Sequence, residues 1–434
     1  MRQFVLIINI FLSISCFFLE NKYLIYQGYL IYLFQFIINM TVLCFKSRLR
    51  FNHIFIPSLF SYIFISINLI LGGYLVPRGH GVFDKYYYDV IQINNYNLFT
   101  PYLLFSLTIF YYLSVKYITK TNNIQRIKKS NSKTYLVIFL FYVLSLFLKT
   151  PVAVQLGFLI VFLYGLDKKK VKMKLLFYFI MLILSLRFYS FDKRNIIVVL
   201  FLILFFETIA SYRYIKLKFK NILLILFLPV LFLFLIITAS INRGYGEFED
   251  TSFKSVFSNS IQYIKSDYFI DAITDNLELN YNYGATYVAL DYVNNGIIDY
   301  QYGLTLIKPL FIFIPRDLYP NKPYSFMHLY TREYQYSEWI KGSSLPVIFP
   351  VELFGNFHYL GLIILFFFYK TLNTMYMVIL REFDKMNFKL FLSIFFVITH
   401  LFFIRGGGID LYVLYFIFSI PTYYLSRLIL LKSN

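Results

Sequence analysis

Apolar residues run unbroken for 16 to 24 positions at a time along most of this chain, with short polar links between the runs. The runs fall at about 4–19, 23–45, 54–76, 98–118, 134–148, 151–166, 175–190, 195–210, 221–241, 346–369, 390–404 and 409–428. A bilayer core about 30 Å thick is crossed by about 20 apolar residues in a helix. Each run therefore predicts a membrane-spanning helix, twelve in all. The fifth to eighth and the eleventh are short, and a tilted or partly re-entrant helix fits them equally. Barrel strands alternate apolar and polar positions, and these runs do not. The predicted fold class is an all-α polytopic membrane protein.

One stretch breaks the pattern. Residues 242–345 hold no run that reads as a membrane span, and they carry the only Trp, Trp339. The chain divides into 1–241 with helices one to nine, 242–345 as one large loop, and 346–434 with helices ten to twelve. A long loop kept between spans points to function. Within it, YNYG at 281–284 predicts a turn. The apolar stretch 307–314, bounded by Pro309 and Pro315, predicts a membrane-surface or re-entrant segment.

Composition agrees: 59% of residues are hydrophobic, 15% are charged, and mean hydropathy is +0.64. A net charge of +19 would suggest nucleic acid in a soluble protein. Here the basic residues mark topology instead. Alternate short links carry 3, 5, 5, 4 and 4 Lys or Arg, and with Arg2, Arg427 and Lys432 that side holds 24 of 41. The opposite short links hold 8. The positive-inside rule then puts both termini in the cytoplasm and the long loop outside. That loop has 8 basic and 12 acidic residues. Arg2 and the apolar run after it resemble a signal peptide, but another span follows at once, so an uncleaved first helix is expected. Cys16 and Cys44 both lie in apolar runs and form neither a disulfide framework nor a metal site.

Several chemistries lack their motifs: there is no Walker A loop, no dinucleotide glycine fingerprint, no CxxC, and no paired acids in 77–97. Arginine on the outer side remains, at Arg78, Arg187, Arg194, Arg243, Arg316, Arg332 and Arg405. Guanidinium suits bidentate phosphate contact, while an interfacial anchor or a pair with an acid is the plainer role for each. Arg405 stands in IRGGGID, where glycines let backbone N–H groups approach an anion. Arg194 opens a span beside a helix N-terminus. Glu352 lies in LPVIFPVELFGNFHYLG, at the start of the tenth span after Pro346 and Pro350. A carboxylate there is paired or used: a salt bridge to an arginine, or a general base or hydroxyl anchor. Asn356 is one turn on, on the same face. His328 and His358 are weaker candidates.

The ordered set resembles the bacterial O-antigen or oligosaccharide repeat-unit polymerases (Wzy type). The matching features are many spans with one late outer loop, Arg194 in FDKRNIIVV, and the phrase IPRDLYPNKP with Arg316, Pro320, Lys322 and Pro323. To these add GSSLP…PVELFGNF with Gly342, Ser343, Glu352 and Asn356, and the turn from Arg405 to Gly408. The likeness covers about 180–430, and His358 stands where the family often has glycine.

The resemblance implies an enzyme of the bacterial cytoplasmic (inner) membrane that polymerises undecaprenyl-diphosphate-linked oligosaccharide units into O-antigen or capsule. It implies a metal-independent glycosyltransferase without cofactor. Glu352, Arg405 and Arg316 would be catalytic, and Arg194, Arg243, Lys322, Asn356 and Arg78 would bind substrate. Membrane lipid, a chain-length regulator protein and a flippase would be partners, and nucleic acid would not. Two other classes stay open: a lipid-linked oligosaccharide ligase or other lipid-dependent glycosyltransferase, and a carrier or flippase for the lipid-linked unit.

Overall fold

The computed structural model describes residues 2–45, 47, 49, 51–80, 85–121, 135–148, 150–166, 176–181, 201–209, 262, 265, 269–271, 274, 279–311, 314–383, 387–404, 406 and 409–431. Among them every regular element is helical. The principal helices are α1 (Arg2–Ser15), α2 (Asn21–Phe45), α3 (Pro57–Leu75), α4 (Lys85–Gln92), α5 (Tyr96–Thr121), α6 (Tyr135–Phe147) and α7 (Val152–Leu166). Later come α8 (Ala285–Asn294), α9 (Phe326–Tyr334), α10 (Phe349–Phe357), α11 (Gly361–Glu382), α12 (Phe388–Phe403) and α13 (Ile409–Leu431). By length and composition four stretches are apolar enough to cross a membrane: Asn21–Phe45, Pro57–Arg78, Tyr96–Thr121 and Phe349–Glu382, the last of which contains the turn His358–Leu360. This is the pattern of a multi-pass helical membrane protein. Helices α1–α3, α5–α7, α12 and α13 fall within a few residues of the apolar runs from which they were expected, whereas α4, α8 and α9 lie in stretches expected to be loops. Residues 176–181 and 201–209, in the seventh and eighth runs, are also helical, and the ninth run lies outside the described residues.

The bundle is cross-linked by buried polar side chains. In lipid, helices gain little from apolar contact with one another, so small residues and interhelical hydrogen bonds select their partners. Asn9 Nδ2 donates to Asn39 Oδ1 at 2.9 Å, and Asn39 Nδ2 donates to Tyr62 Oη at 3.0 Å, linking α1, α2 and α3. Gln35 of α2 reaches Thr108 Oγ1 of α5 at 3.1 Å. Asn373 of α11 clasps the start of α3: it accepts from the Ser58 N–H at 3.1 Å and donates to Ser58 Oγ at 2.8 Å. Gly72 of α3 lets Tyr283 come so close that an added Cβ would lie 2.4 Å from the tyrosine Cβ.

These contacts give the bundle two distinct ends. At one, Ser58 of α3 and Tyr117 of α5 meet α11 at Asn373, Lys370 and Thr374. At the other, Tyr102 Oη donates to Pro350 O at 2.6 Å and Tyr359 Oη donates to Leu98 O at 2.5 Å. Helix α3 runs from the first end to the second, where the short helix Val76–Arg78 follows it.

The tenth run differs from expectation. Residues 346–369 do not make one span: α10 and α11 form a tight helical hairpin. The chain reverses at His358, a non-glycine residue with φ 52°. Gly361 then lies so close to α10 that an added Cβ would be 2.6 Å from Leu353 O, and the Phe349 and Phe368 rings meet with centroids 4.7 Å apart. Hydropathy cannot show such a reversal, because both arms are apolar and the turn spans three residues, His358–Leu360. Helix α11 alone has 22 residues, about 33 Å, which still spans an apolar core.

The hairpin is open to a direct test. In a straight helix Phe349 and Phe368, 19 residues apart, would be separated by about 28 Å. Cysteines at the two positions, in a chain with Cys16 and Cys44 replaced, are expected to be bridged within one chain by a short bifunctional maleimide, whose reach is far less than the straight-helix separation. Mass spectrometry of the peptides reads the link, and its absence while both thiols label freely would mean a straight span.

Candidate functional site

Glu352 is the fourth residue of α10, in the first turn, where the helix dipole favours an acid. Because α10 folds back against α11, that first turn lies inside the protein, and Glu352 is only 3% exposed. A buried carboxylate needs hydrogen bonds to offset its lost hydration. Thr305, on the one-turn helix Leu304–Ile307, donates its hydroxyl to Glu352 Oε1 at 3.1 Å.

Asn356 sets this contact. Its Nδ2 donates to Thr305 Oγ1 at 2.7 Å and to Glu352 O at 2.8 Å, and its Oδ1 accepts the Gly303 N–H at 3.0 Å. Gly303 has φ 89°, a left-handed conformation that favours glycine, and a Cβ there would press on Phe357 at 3.1 Å. The Gln301 N–H also bonds to Gly355 O at 3.0 Å, so the turn at 301–305 is pinned to α10 by backbone and side chain. Asn356 thus orients the carboxylate through Thr305 rather than by touching it. Sequence reading found Glu352 and Asn356 by their spacing on one helix face but missed Thr305. That residue lies 47 positions upstream and nothing local marks it.

Two more elements close the site. Gly406, the described residue of the arginine–glycine turn, packs on Pro346, with an added Cβ placed 2.5 Å from the proline Cβ. Gly406 and the extended entry to α10 are therefore neighbours. Helix α13 packs against Leu304–Ile307 and Lys308–Phe311. From α13, Tyr412 Oη reaches His400 Nδ1 at 2.8 Å, and His400 Nε2 reaches Ser61 Oγ at 3.0 Å. Ser61 donates in turn to Tyr369 at 2.9 Å.

The cations separate into three groups. Arg194, Arg243 and Arg405 lie outside the described residues. Arg78 shares the Glu352 end of the bundle and caps α3. Its Nη1 donates to Tyr74 O at 2.5 Å, its Nη2 to Tyr26 O at 3.3 Å, and its guanidinium lies 4.3 Å from the Tyr74 ring centroid. Arg316 ties its own loop. It donates to the carbonyls of Pro320, Lys322 and Pro323 at 3.5, 2.9 and 3.4 Å and stacks on Tyr324 at 3.7 Å. Lys322 Nζ reaches back to Ile314 O at 3.1 Å. The structure therefore brings Glu352, Asn356 and Thr305 together, and it gives Arg78, Arg316 and Lys322 backbone carbonyls to hold. Among the described residues the partners of Arg316 are neutral.

Beside the Arg316 loop runs a row of rings. Tyr324 stacks on His328 at 5.2 Å, His328 meets Trp339 at 5.9 Å, and Trp339 stacks on Tyr336 at 5.2 Å. Burial holds the His328 pKa below its ordinary 6.5, and the charges of Lys308, Arg316 and Arg332 push the same way. No family model, curated protein or solved structure matches this chain.

His328 is accordingly expected to stay neutral below its ordinary 6.5. The sign follows from linkage: the unfolded chain takes up a proton that the folded chain refuses, so this group makes folding less favourable as pH falls through the ordinary histidine range. The rate of His328 modification by diethyl pyrocarbonate, followed against pH, checks it. A midpoint at or above the ordinary value would contradict the placement of His328 among these cations.

Proposed function

We propose that this chain is a glycosyltransferase of the bacterial cytoplasmic membrane that polymerises polyprenyl-diphosphate-linked oligosaccharide repeat units. The observation that carries the reading is the carboxylate of Glu352, buried in a membrane hairpin and held by a hydroxyl. The resemblance of the motifs to repeat-unit polymerases supplies the substrate class.

In this reading an acceptor sugar hydroxyl takes the place of the Thr305 hydroxyl at Glu352. The carboxylate takes the proton as the sugar oxygen bonds to the anomeric carbon of the donor. The bond from that carbon to the diphosphate oxygen breaks, and polyprenyl diphosphate leaves with the electron pair. The negative charge that grows on the diphosphate is met by guanidinium groups, for which Arg405 and Arg194 are assigned, with Arg316 contributing from its loop. Interactions that strengthen in the transition state raise the rate. Arg243, Lys322 and Arg78 are assigned to substrate binding, and a chain-length regulator protein and a flippase as partners. The twelve-span arrangement, with both termini cytoplasmic and 242–345 outside, belongs to the same proposal and rests on the distribution of basic residues.

Glu352→Gln keeps the shape of the site and removes the base. It is expected to insert normally and to slow chain growth by about two to four orders of magnitude. Near-normal turnover of a purified Gln variant on a lipid-linked repeat unit would remove Glu352 from the mechanism. Deletion of the gene, read on a gel of surface polysaccharide, separates the classes: loss of a polymerase leaves one repeat unit attached, and loss of a ligase or flippase leaves none. For the topology, cysteines at Ser258 and Ser337 are expected to react with an impermeant maleimide in intact cells, and labelling only after lysis would reverse the orientation.

A further inference from the structure

The segment that carries Thr305 is apolar on its outside. Leu310 and Leu318 are each 78% exposed, Tyr302 is 82% exposed, and Leu304 and Ile307 are exposed beside them. Its inner side is fixed: Thr305 and Pro309 are buried, Gly303 is bonded to Asn356, and the segment packs on α13. The exposed face therefore belongs to a held element. Exposed apolar side chains clustered along one held segment mark a site of contact.

Depth identifies what covers it. Thr305 is bonded to Glu352, six residues before the hairpin tip at His358, or about 9 Å along α10. The other arm of the hairpin, α11, leaves the same tip and crosses the apolar core. With the tip taken as the edge of the hydrocarbon layer, Thr305 lies about 9 Å inside that edge. Leu360 at the tip and Ile363 and Phe367 on α11 are exposed as well. Lys308 and Arg316 lie on the same stretch, and basic residues beside apolar ones suit the headgroup level.

We propose that residues 302–311 and 314–319 are seated in the boundary between lipid headgroups and acyl chains. Leu310 and Leu318 enter the lipid, and the membrane surface thereby holds Thr305 against Glu352. Interfacial segments of this type sink about 5–10 Å into that boundary. The proposal concerns a lipid surface and does not depend on the reaction at Glu352. The following measurement requires no catalysis, so it can fail while the glycosyltransferase reading stands, and the reverse.

The full chain, with Cys16 and Cys44 replaced, is spin-labelled singly at Leu310, Leu318 or Asn321 and placed in phosphatidylglycerol–phosphatidylethanolamine nanodiscs. All three side chains are exposed, so labelling disturbs no packing. At Leu310 and Leu318 the collision rate with oxygen should exceed that with a water-soluble nickel chelate, with the ratio reversed at Asn321. A higher rate with the nickel chelate at Leu310 and Leu318 would overturn the proposal. So would low access to both reagents. In that case, spin–spin broadening that fades on dilution with unlabelled protein would assign the face to a second copy, and its absence would assign it to another part of the chain.

Discussion

A carboxylate shut inside an apolar bundle is the constraint on which the described structure turns. Its hydration is lost, and the cost is several kcal/mol unless hydrogen bonds offset it. Among the described residues a chain of neutral donors reaches it: Gly303 N–H to Asn356, Asn356 to Thr305, Thr305 to Glu352. Each member fixes the next, so removing Asn356 would free the turn as well as the hydroxyl. The reversal at His358 then follows as a requirement. A straight helix would carry Glu352 along a single span, whereas the hairpin turns its first coil inward against α11 and leaves room for the turn at 301–305.

The rest of the bundle obeys the same rule at lower cost. Asn9, Asn39, Gln35, Ser58 and Asn373 are neutral, and each finds a partner on another helix. Such pairs fix which helix faces which and at what height, which lipid-compatible Leu, Ile and Phe do not. Gly72 and Gly355 add close approach where a ring must fit: an added Cβ at Gly355 would lie 2.1 Å from a Phe326 ring carbon.

The helices were legible because length and apolarity report them directly. The α10–α11 hairpin was not, because hydropathy carries no direction and His358 gives no local sign that it takes a positive φ. Glu352 and Asn356 were legible from helical spacing, and Thr305 was hidden by its distance along the chain. The arginines illustrate another limit. Sequence counts a guanidinium as a charge available to a ligand, but Arg78 and Arg316 direct donors at backbone carbonyls of Tyr74, Tyr26 and the 320–323 loop. The carbonyls are invisible in composition, since every residue has one.

The contact between Phe326 and Gly355 also has a bearing on how the protein is made. Phe326 is fully buried, and its ring fits only because Gly355 has no side chain. In the order of synthesis the ring comes first and its socket 29 residues later. At about 5–20 residues per second the ring waits roughly one to six seconds. During that time α9 has no place to dock, and the segment before the hairpin stays unfinished until the hairpin is built. Assembly of this region therefore runs backward along the chain, with the later hairpin serving as the mould for the earlier loop.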